Sequence, residues 1–377
     1  MAWLTYVWIG YPLLLWLLSW VRFVRFSSSE TYVPTLSVLI AARNEEKDIG
    51  WKLAQTLAWN YPSDRLEILV GSDASTDGTD DVVRSMHDPR VTFVRNHKHA
   101  GKNLTLNRLA RLARGEILFF TDANTYIGPD CAKALVRHFV DPRVGCVTGM
   151  ERNIQGSTFA PLAHGSNAYL EYESLIDRLE NRLGSVLVCD GSVYCLRHSL
   201  FSDLDSELAN DLEQPIRVGA KGFAVLFEPL ARSFERVSSS AREEFARRRR
   251  IVAQGARAAW KLRHELCGVR LWQFISRKCM RWLTLLPVMG AFGGCFVLRE
   301  APGFTMLFAA EAALCALALV GAWHRGNSGI GSLARLPFVF LLAAVAASVG
   351  VCDACRRKTF ATWNIAELSR GAHPQGN

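Results

Sequence analysis

Four short polar motifs in this chain carry residue types that can do chemistry. Asp73 lies in Gly71-Ser72-Asp73-Ala74-Ser75-Thr76-Asp77-Gly78-Thr79, and Asp122 opens Asp122-Ala123-Asn124. Asp211 lies in Asn210-Asp211-Leu212-Glu213-Gln214, and the basic run Arg247-Arg248-Arg249-Arg250 follows it. A carboxylate two residues from an amide oxygen can offer hard ligands to Mg²⁺ or Mn²⁺. An acid among apolar neighbours, as Asp211 is beside Leu208, Ala209 and Leu212, can have its pKa raised and act as a general base; Glu213 is the alternative. A forked guanidinium such as Arg250 can hold an anionic group through two donors. Arg248 and Arg249 read as a solvated basic face, the usual meaning of a charge run.

The elements that must position these groups are legible in the apolar pattern. Leu36 to Ala41 is a continuous apolar run, as expected of a strand buried on both faces. Leu66 to Val70 and Ile117 to Phe120 are further strands that end just ahead of Asp73 and Asp122. Short strands follow at Val91 to Val94 and Val144 to Thr148. Helices are expected at Asp48 to Ala58, Thr79 to His87 and Asn103 to Ala113. This alternation predicts an α/β domain built on a mostly parallel sheet with helices on both faces. In such sheets ligands bind outside the carboxyl ends of the strands, where both acids emerge.

The order of the motifs resembles the family 2 glycosyltransferases, most closely the membrane-bound bacterial type related to cellulose, hyaluronan and chitin-oligosaccharide synthases. The resemblance covers roughly Thr35 to Trp260 and implies a GT-A fold. It implies that the turn after the first strand, Ala41-Ala42-Arg43-Asn44-Glu45, contacts the nucleoside through Ala41, Arg43 and Glu45. Asp73 would contact the base, and Lys102 with Asn107 would lie beneath the nucleotide. Asp122 and Asn124 stand at the metal motif, so Asp122 would serve both donor and metal. Gly191 and Ser192, in Val188-Cys189-Asp190-Gly191-Ser192, would hold the acceptor end, and Asp211 would be the catalytic base. Arg250 would help close the site.

Two motifs depart from the family pattern. Asn124 replaces an acid, which keeps an oxygen ligand but removes a charge, so weaker metal binding is expected. Arg247 and Ile251 replace the Gln and Trp of processive members, which puts processive polymerisation in doubt more than catalysis. The implied reaction is an inverting, metal-dependent sugar transfer from a nucleotide-sugar, a UDP-sugar being expected. The acceptor would be a lipid-linked or growing saccharide in envelope or exopolysaccharide synthesis. Single-sugar transfer to polyprenyl phosphate is the alternative within enzymes. A silent membrane subunit recruiting polysaccharide-assembly proteins is the alternative outside them, and the joint presence of Asp73, Lys102, Asp122 and Asp211 speaks against it.

Composition adds a membrane. The chain has 377 residues, half of them hydrophobic. Met1 to Val21 has no charged residue and is long enough, at about 30 Å, to cross a bilayer core. It lacks a basic leader and a small-residue cleavage site, so it reads as a retained anchor. Three more apolar segments run from Trp282 to Leu298, Phe304 to Trp323 and Pro337 to Val351, the first short enough to dip rather than cross. Glu311 interrupts the second; a charge at the bilayer centre costs about 2.5–3.5 kcal/mol, so it should face other helices. The excess of 44 Lys and Arg over 35 Asp and Glu gives a net charge of +9. Arg22, Arg25, Arg277, Lys278 and Arg281 flank apolar segments, which fits cytoplasmic edges and anionic lipid rather than nucleic acid. The ten cysteines have no disulfide spacing, as suits a reducing compartment. The expected organisation is an anchor at 1–25, a cytoplasmic GT-A domain at 26–260, and an amphipathic interface helix at 261–281. Membrane segments at 282–355 and a basic tail at 356–377 complete a multi-pass protein of the inner (plasma) membrane.

Overall fold

The computed structural model describes residues 2–154, 160–236, 240–323 and 329–358. The basic tail beyond Lys358, and Arg325 between two apolar segments, lie outside the described residues. Eight strands form one sheet: β1 Leu36–Ala42, β2 Leu66–Asp73, β3 Val91–Asn96, β4 Ile117–Asp122, β5 Tyr126–Ile127, β6 Val144–Ile154, β7 Tyr194–Arg197 and β8 Ala224–Arg236. Their spatial order is β3-β2-β1-β4-β7-β6-β8-β5. All seven residues of β1 are buried. Val38 and Ile40 enter one core cluster while Leu39 and Ala41 enter the other, so both faces of the sheet are covered.

The helices are α1 Ala2–Val21, α2 Ile49–Leu57, α3 Thr79–Arg84, α4 Lys102–Leu112, α5 Cys131–Val136, α6 Ala160–Arg182 and α7 Asn210–Ala220. The remainder are α8 Ala241–Lys261, α9 Gly268–Trp282, α10 Leu285–Val297, α11 Phe304–Trp323 and α12 Gly329–Cys355. Each strand and helix expected between Leu36 and Thr148 is present. β2 and β4, however, run on to include the acids themselves, because pairing continues: Asp73 sits opposite Asn96, and Ala41 opposite Asp122.

The sheet is less parallel than the pattern suggests. β1, β2, β3 and β4 are parallel, and so are β6 and β8, but β7 lies between β4 and β6 antiparallel to both. β5 is antiparallel to β8. β7 has only four residues, too few to show a period. β8 contains Pro229, and its register against β6 jumps between Phe227 and Arg232. A proline cannot donate to the ladder, so a bulge there is the expected solution.

Among the described residues, three helices are long and apolar enough to cross a membrane: Ala2–Val21, Phe304–Ala322 and Ala334–Cys355. The α9/α10 pair, bent by 55°, makes a fourth if the two count as one span. Trp20, Val21, Met306 and Leu319 are exposed apolar side chains on two of these helices. Glu311 turns toward Cys295 of α10. The stretch expected to be one amphipathic helix at 261–281 is two pieces. α8 ends at Lys261, and α9 begins at Gly268, whose positive φ of 54° suits glycine.

Arg277 was expected at a lipid-facing edge, but it is buried. Its guanidinium donates to Glu173 Oε2 at 2.9 Å, Asp177 Oδ1 at 2.6 Å and Glu180 Oε2 at 3.1 Å. Arg281 pairs with Glu173 as well. Tyr11 of α1 donates to Glu180, and Trp272 of α9 packs on the Tyr11 ring at 5.1 Å. Three acids on α6 thus hold the first membrane helix and α9 against the sheet domain. Arg277→Ala would strand these acids, and breaking a buried ion pair from one side costs about 3–5 kcal/mol. We expect a large fall in the thermal midpoint of the solubilised protein, followed by tryptophan fluorescence; an unchanged midpoint would show the cluster is dispensable.

Candidate functional site

The turns that follow β1 and β2 lock onto each other. Asn44 and Ala74 both adopt left-handed backbone, at φ 53° and 52°. Asn44 Oδ1 accepts from the Thr76 amide at 2.8 Å, and its own amide donates to Ser75 Oγ at 3.1 Å. Glu46 bridges Asp77 and Gly78, its amide donating to Asp77 Oδ2 at 3.2 Å and its Oε2 accepting from Gly78 N at 3.1 Å. Glu45 is buried at the head of α2, with its amide donating to Thr79 Oγ1 at 2.8 Å. Ala41 is buried between Gly71 and Asp122. Arg43 is half-buried, and its Nη1 has no hydrogen-bond partner among the described residues.

Asp73 is fully buried. Its carboxylate accepts from Ala100 N at 2.7 Å, Gly101 N at 2.8 Å and Asn96 Nδ2 at 3.3 Å, with His99 Nδ1 at 2.6 Å. Burial alone would raise its pKa, but these partners outweigh it and hold the acid below the usual carboxylate range. Asp73 therefore grips the loop that delivers Lys102, the first residue of α4. Lys102 in turn pairs with Asp122. Beneath that turn sits a residue the sequence reading missed. Lys52 is completely buried, and its Nζ donates to Thr121 Oγ1 at 2.9 Å and the Thr125 carbonyl at 2.8 Å. Burial pulls its pKa down to about 7, against the attraction of Asp122. Asn124 is half-buried on the same turn.

Asn107 does not face this cavity. Its side chain exchanges two bonds with the Leu204 backbone, at 2.9 and 2.8 Å. Asn103, one turn earlier, donates to the carbonyls of Asp205 and Leu208 at 2.6 and 2.8 Å. Both asparagines fix the loop ahead of α7, and so the height of Asp211. Glu213 is fully buried and bound to the Asp205 amide and Arg217, which makes it an anchor of the same loop.

Asp211 is the member of that turn open to the cavity. Burial raises its pKa, opposed by the positive charges of Lys278 and Lys102. Its carboxylate borders Gly191: a Cβ placed there would lie 3.4 Å from Asp211 Oδ2. Ser192 is buried, with its hydroxyl donating to Asp190 Oδ1 at 2.6 Å and lying 2.9 Å from Ser233 Oγ. Ser192 thus builds the turn, and Gly191 is the residue that leaves room.

The basic run divides by face. Arg247 reaches Glu151 Oε1 at 3.7 Å. Arg248 pairs with Glu244, as a surface residue would, but Arg249 binds Asp353 of α12, with Nη2 to Oδ1 at 3.0 Å. Arg249 is therefore part of a helix contact and not the solvated face expected. Arg250 makes no ion pair or hydrogen bond among the described residues, and Asp122, Glu235 and Asp211 attract it. Glu151, Asp190 and Glu235 complete the wall; burial pushes each up to about 7. Glu151 and Glu235 come from the late rungs of the β6/β8 pair. Their position at the carboxyl ends of strands was the available signal.

A sheet edge of this kind, with one acid ending each of β2 and β4, a glycine turn after α6 and a basic helix behind, is that of a GT-A fold. Residues 37–203 match the family model of glycosyl transferase family 2. Poly-beta-1,6-N-acetyl-D-glucosamine synthase of Staphylococcus aureus is 26% identical over 205 residues, which are 52% of this chain and 48% of that protein. The probable glycosyltransferase YdaM of Bacillus subtilis is 27% identical over 214 residues, 54% of this chain and 51% of its own length. The chain thus spans about half the length of these relatives. The mannosyltransferase PcManGT of Pyrobaculum calidifontis, solved with GDP-Man and Mn²⁺, shares the fold with a TM-score of 0.66 at 21% identity. That match covers 94% of this chain and 97% of the other.

The two bonds at Asn107 give a direct test of its place. Asn107→Ala should lower the denaturation midpoint, since stranding buried backbone partners costs about 1–3 kcal/mol. Nucleotide affinity by calorimetry should stay close to that of the parent protein. A loss of affinity with intact stability would return Asn107 to the donor site.

Proposed function

We propose that the protein is a membrane-embedded, inverting glycosyltransferase that moves a sugar from a nucleotide-sugar, a UDP-sugar in our reading, to a lipid-linked or growing saccharide. The supporting observation is the convergence on Arg250 of Asp122, from the donor side, and Asp211, from the Gly191 turn. The acceptor hydroxyl, seated at Gly191, gives its proton to Asp211 as its oxygen attacks the anomeric carbon. The bond from that carbon to the diphosphate breaks on the opposite face. Arg250 and Lys102 take up the charge that develops on the leaving oxygens. Arg43 and the Ala41 backbone border the nucleoside, and Asp73 acts through the loop that places Lys102.

Asp122 and Asn124 fit a hard divalent cation, Mg²⁺ or Mn²⁺. They offer a carboxylate and an amide oxygen, and no third His, Cys, Asp or Glu among the described residues joins them in a cage. The remaining ligands would be diphosphate oxygens and water, as is usual for Mg²⁺. When bound, the ion neutralises the diphosphate. The related synthase and the apolar helices support a role in envelope or exopolysaccharide synthesis, with 26–260 on the cytoplasmic side of the plasma membrane and the α9 region at the interface. Nucleotide release from a panel of UDP-, GDP- and dTDP-sugars would name the donor.

Asp211→Asn should cut transfer by about 10²–10⁴-fold, the worth of a general base, and leave nucleotide affinity intact. Retention of more than about a tenth of the rate would move the base elsewhere. The pH profile offers a second check. Asp211 must be ionised to accept a proton, and Lys278 holds its raised pKa down. Lys278→Met should therefore shift the acid limb of kcat to higher pH; an unmoved limb would detach that limb from Asp211.

A further inference from the structure

We propose that the last membrane helix is part of the catalytic apparatus, with Asp353 as the residue that positions Arg250 through Arg249. This rests on the role given above to Arg250. A carboxylate inside a span is costly and is kept where it has a partner and a purpose. Asp353 is 5% exposed. Its two oxygens are both taken by Arg249, Oδ1 from Nη2 at 3.0 Å and Oδ2 from Nε, a planar two-point clamp.

Helix geometry turns this clamp into a setting for the site. Successive residues on α8 point about 100° apart, so residues three or four apart share a face. Arg249, Val252 and Ala253 form the face against α12. Gly350 lies so close that a Cβ there would be 2.6 Å from the Arg249 carbonyl and 2.9 Å from Val252 Cβ. Arg247 and Arg250, three apart, form the adjacent face, toward Glu151, Asp122 and Asp211. The rotation of α8 that seats Arg249 on Asp353 is the rotation that aims Arg250. Two turns of α8 further on, Arg257 donates to the Lys358 carbonyl and approaches Glu207 Oε1 at 3.3 Å. Glu207 belongs to the loop that Asn103 and Asn107 hold beneath Asp211. The end of α12 thus reaches both the arginine and the loop of the base.

The test uses the full chain in lipid nanodiscs, with kcat, donor KM, nucleotide affinity by calorimetry and thermal midpoint measured for each variant. A displacement of about 1 Å at a positioned group can cost about 10²-fold, so Asp353→Asn should lower kcat by about 10- to 100-fold. Donor KM and nucleotide affinity should change by less than about twofold, because binding is not what the clamp provides. Gly350→Ala should show the same split without touching any charge, by forcing α8 and α12 apart. The exchange Arg249→Asp with Asp353→Arg should recover much of kcat. Wild-type kcat in both Asp353→Asn and Gly350→Ala would overturn the proposal. A loss of kcat matched by an equal loss of nucleotide affinity and thermal midpoint would also overturn it, reducing the clamp to a structural bond. Arg250→Lys separates the two levels. If it is inactive while the clamp variants are normal, only the clamp fails. If it too is normal, the role of Arg250 fails.

Discussion

The register of β1 against its two parallel neighbours is the constraint from which the site follows. Ala41 pairs with Gly71 on one side and with Asp122 on the other, and Ala42 pairs with Ser72. Asp73 is then one residue past that rung, and the turns after β1, β2 and β4 open side by side. A slip of one residue would turn every side chain of β1 to the wrong face, and both faces are buried. Gly71 must be glycine for the same reason: a Cβ there would meet the Thr105 methyl at 2.4 Å, and Thr105 is on the helix that Lys102 begins. The short antiparallel β7 completes the arrangement. It pairs Tyr194 with Phe120 and stacks their rings at 4.5 Å, which brings the turn before it, with Gly191, alongside Asp122.

Charge balance is the second constraint. Asp122, Glu151, Asp190, Asp211 and Glu235 lie close enough to repel one another, and Lys52, Lys102, Arg247, Arg250 and Lys278 answer them. Many carboxylates in little water favour protonation, which is why three of them rise to about 7. Arg250 differs from Arg247, Arg248, Arg249, Arg257 and Lys261 of its helix in having no fixed partner among the described residues. An unengaged guanidinium enclosed in protein is costly. An incoming diphosphate would relieve that cost, so the electrostatics favour a ligand that brings negative charge.

The sequence disclosed most of this because the strands of a parallel sheet are short apolar runs and the acids sit at their ends. Asp73, Lys102, Asp122 and Asp211 could be named, and the elements carrying them fall where the apolar pattern puts them. The side of each residue was harder to read. Asn107 is four residues after Asn103 on one face of α4, and that face meets the 204–208 loop, a long-range contact that no local pattern encodes. Ser192 and Glu213 are polar residues next to Gly191 and Asp211 whose side chains are engaged within the fold, Ser192 with Asp190 and Ser233, Glu213 with the Asp205 amide and Arg217. Lys52 sat unnoticed in an amphipathic helix because lysine there ordinarily points to water. Arg249 reads as surface until α12, about a hundred residues later, supplies Asp353. The antiparallel half escaped because β7 is brief and Pro229 interrupts β8.

Membrane and catalytic parts are joined through charges, and the choice of charge has consequences. Lipid-facing contacts between apolar helices carry little orientational preference, since the tails they replace are equally apolar. An Arg–carboxylate fork is directional and, at a half-buried boundary, is screened little by salt. Arg277 with its three acids on α6 fixes α9 at one end of the domain; Arg249 with Asp353 fixes α8 at the other. Lys278 follows Arg277 in sequence and Arg250 follows Arg249, and both, with Lys102, bear on Asp211. A sheet domain held by such forks keeps Asp211 and Arg250 at a set distance from the apolar helices, which the transfer to a lipid-carried acceptor proposed above would require.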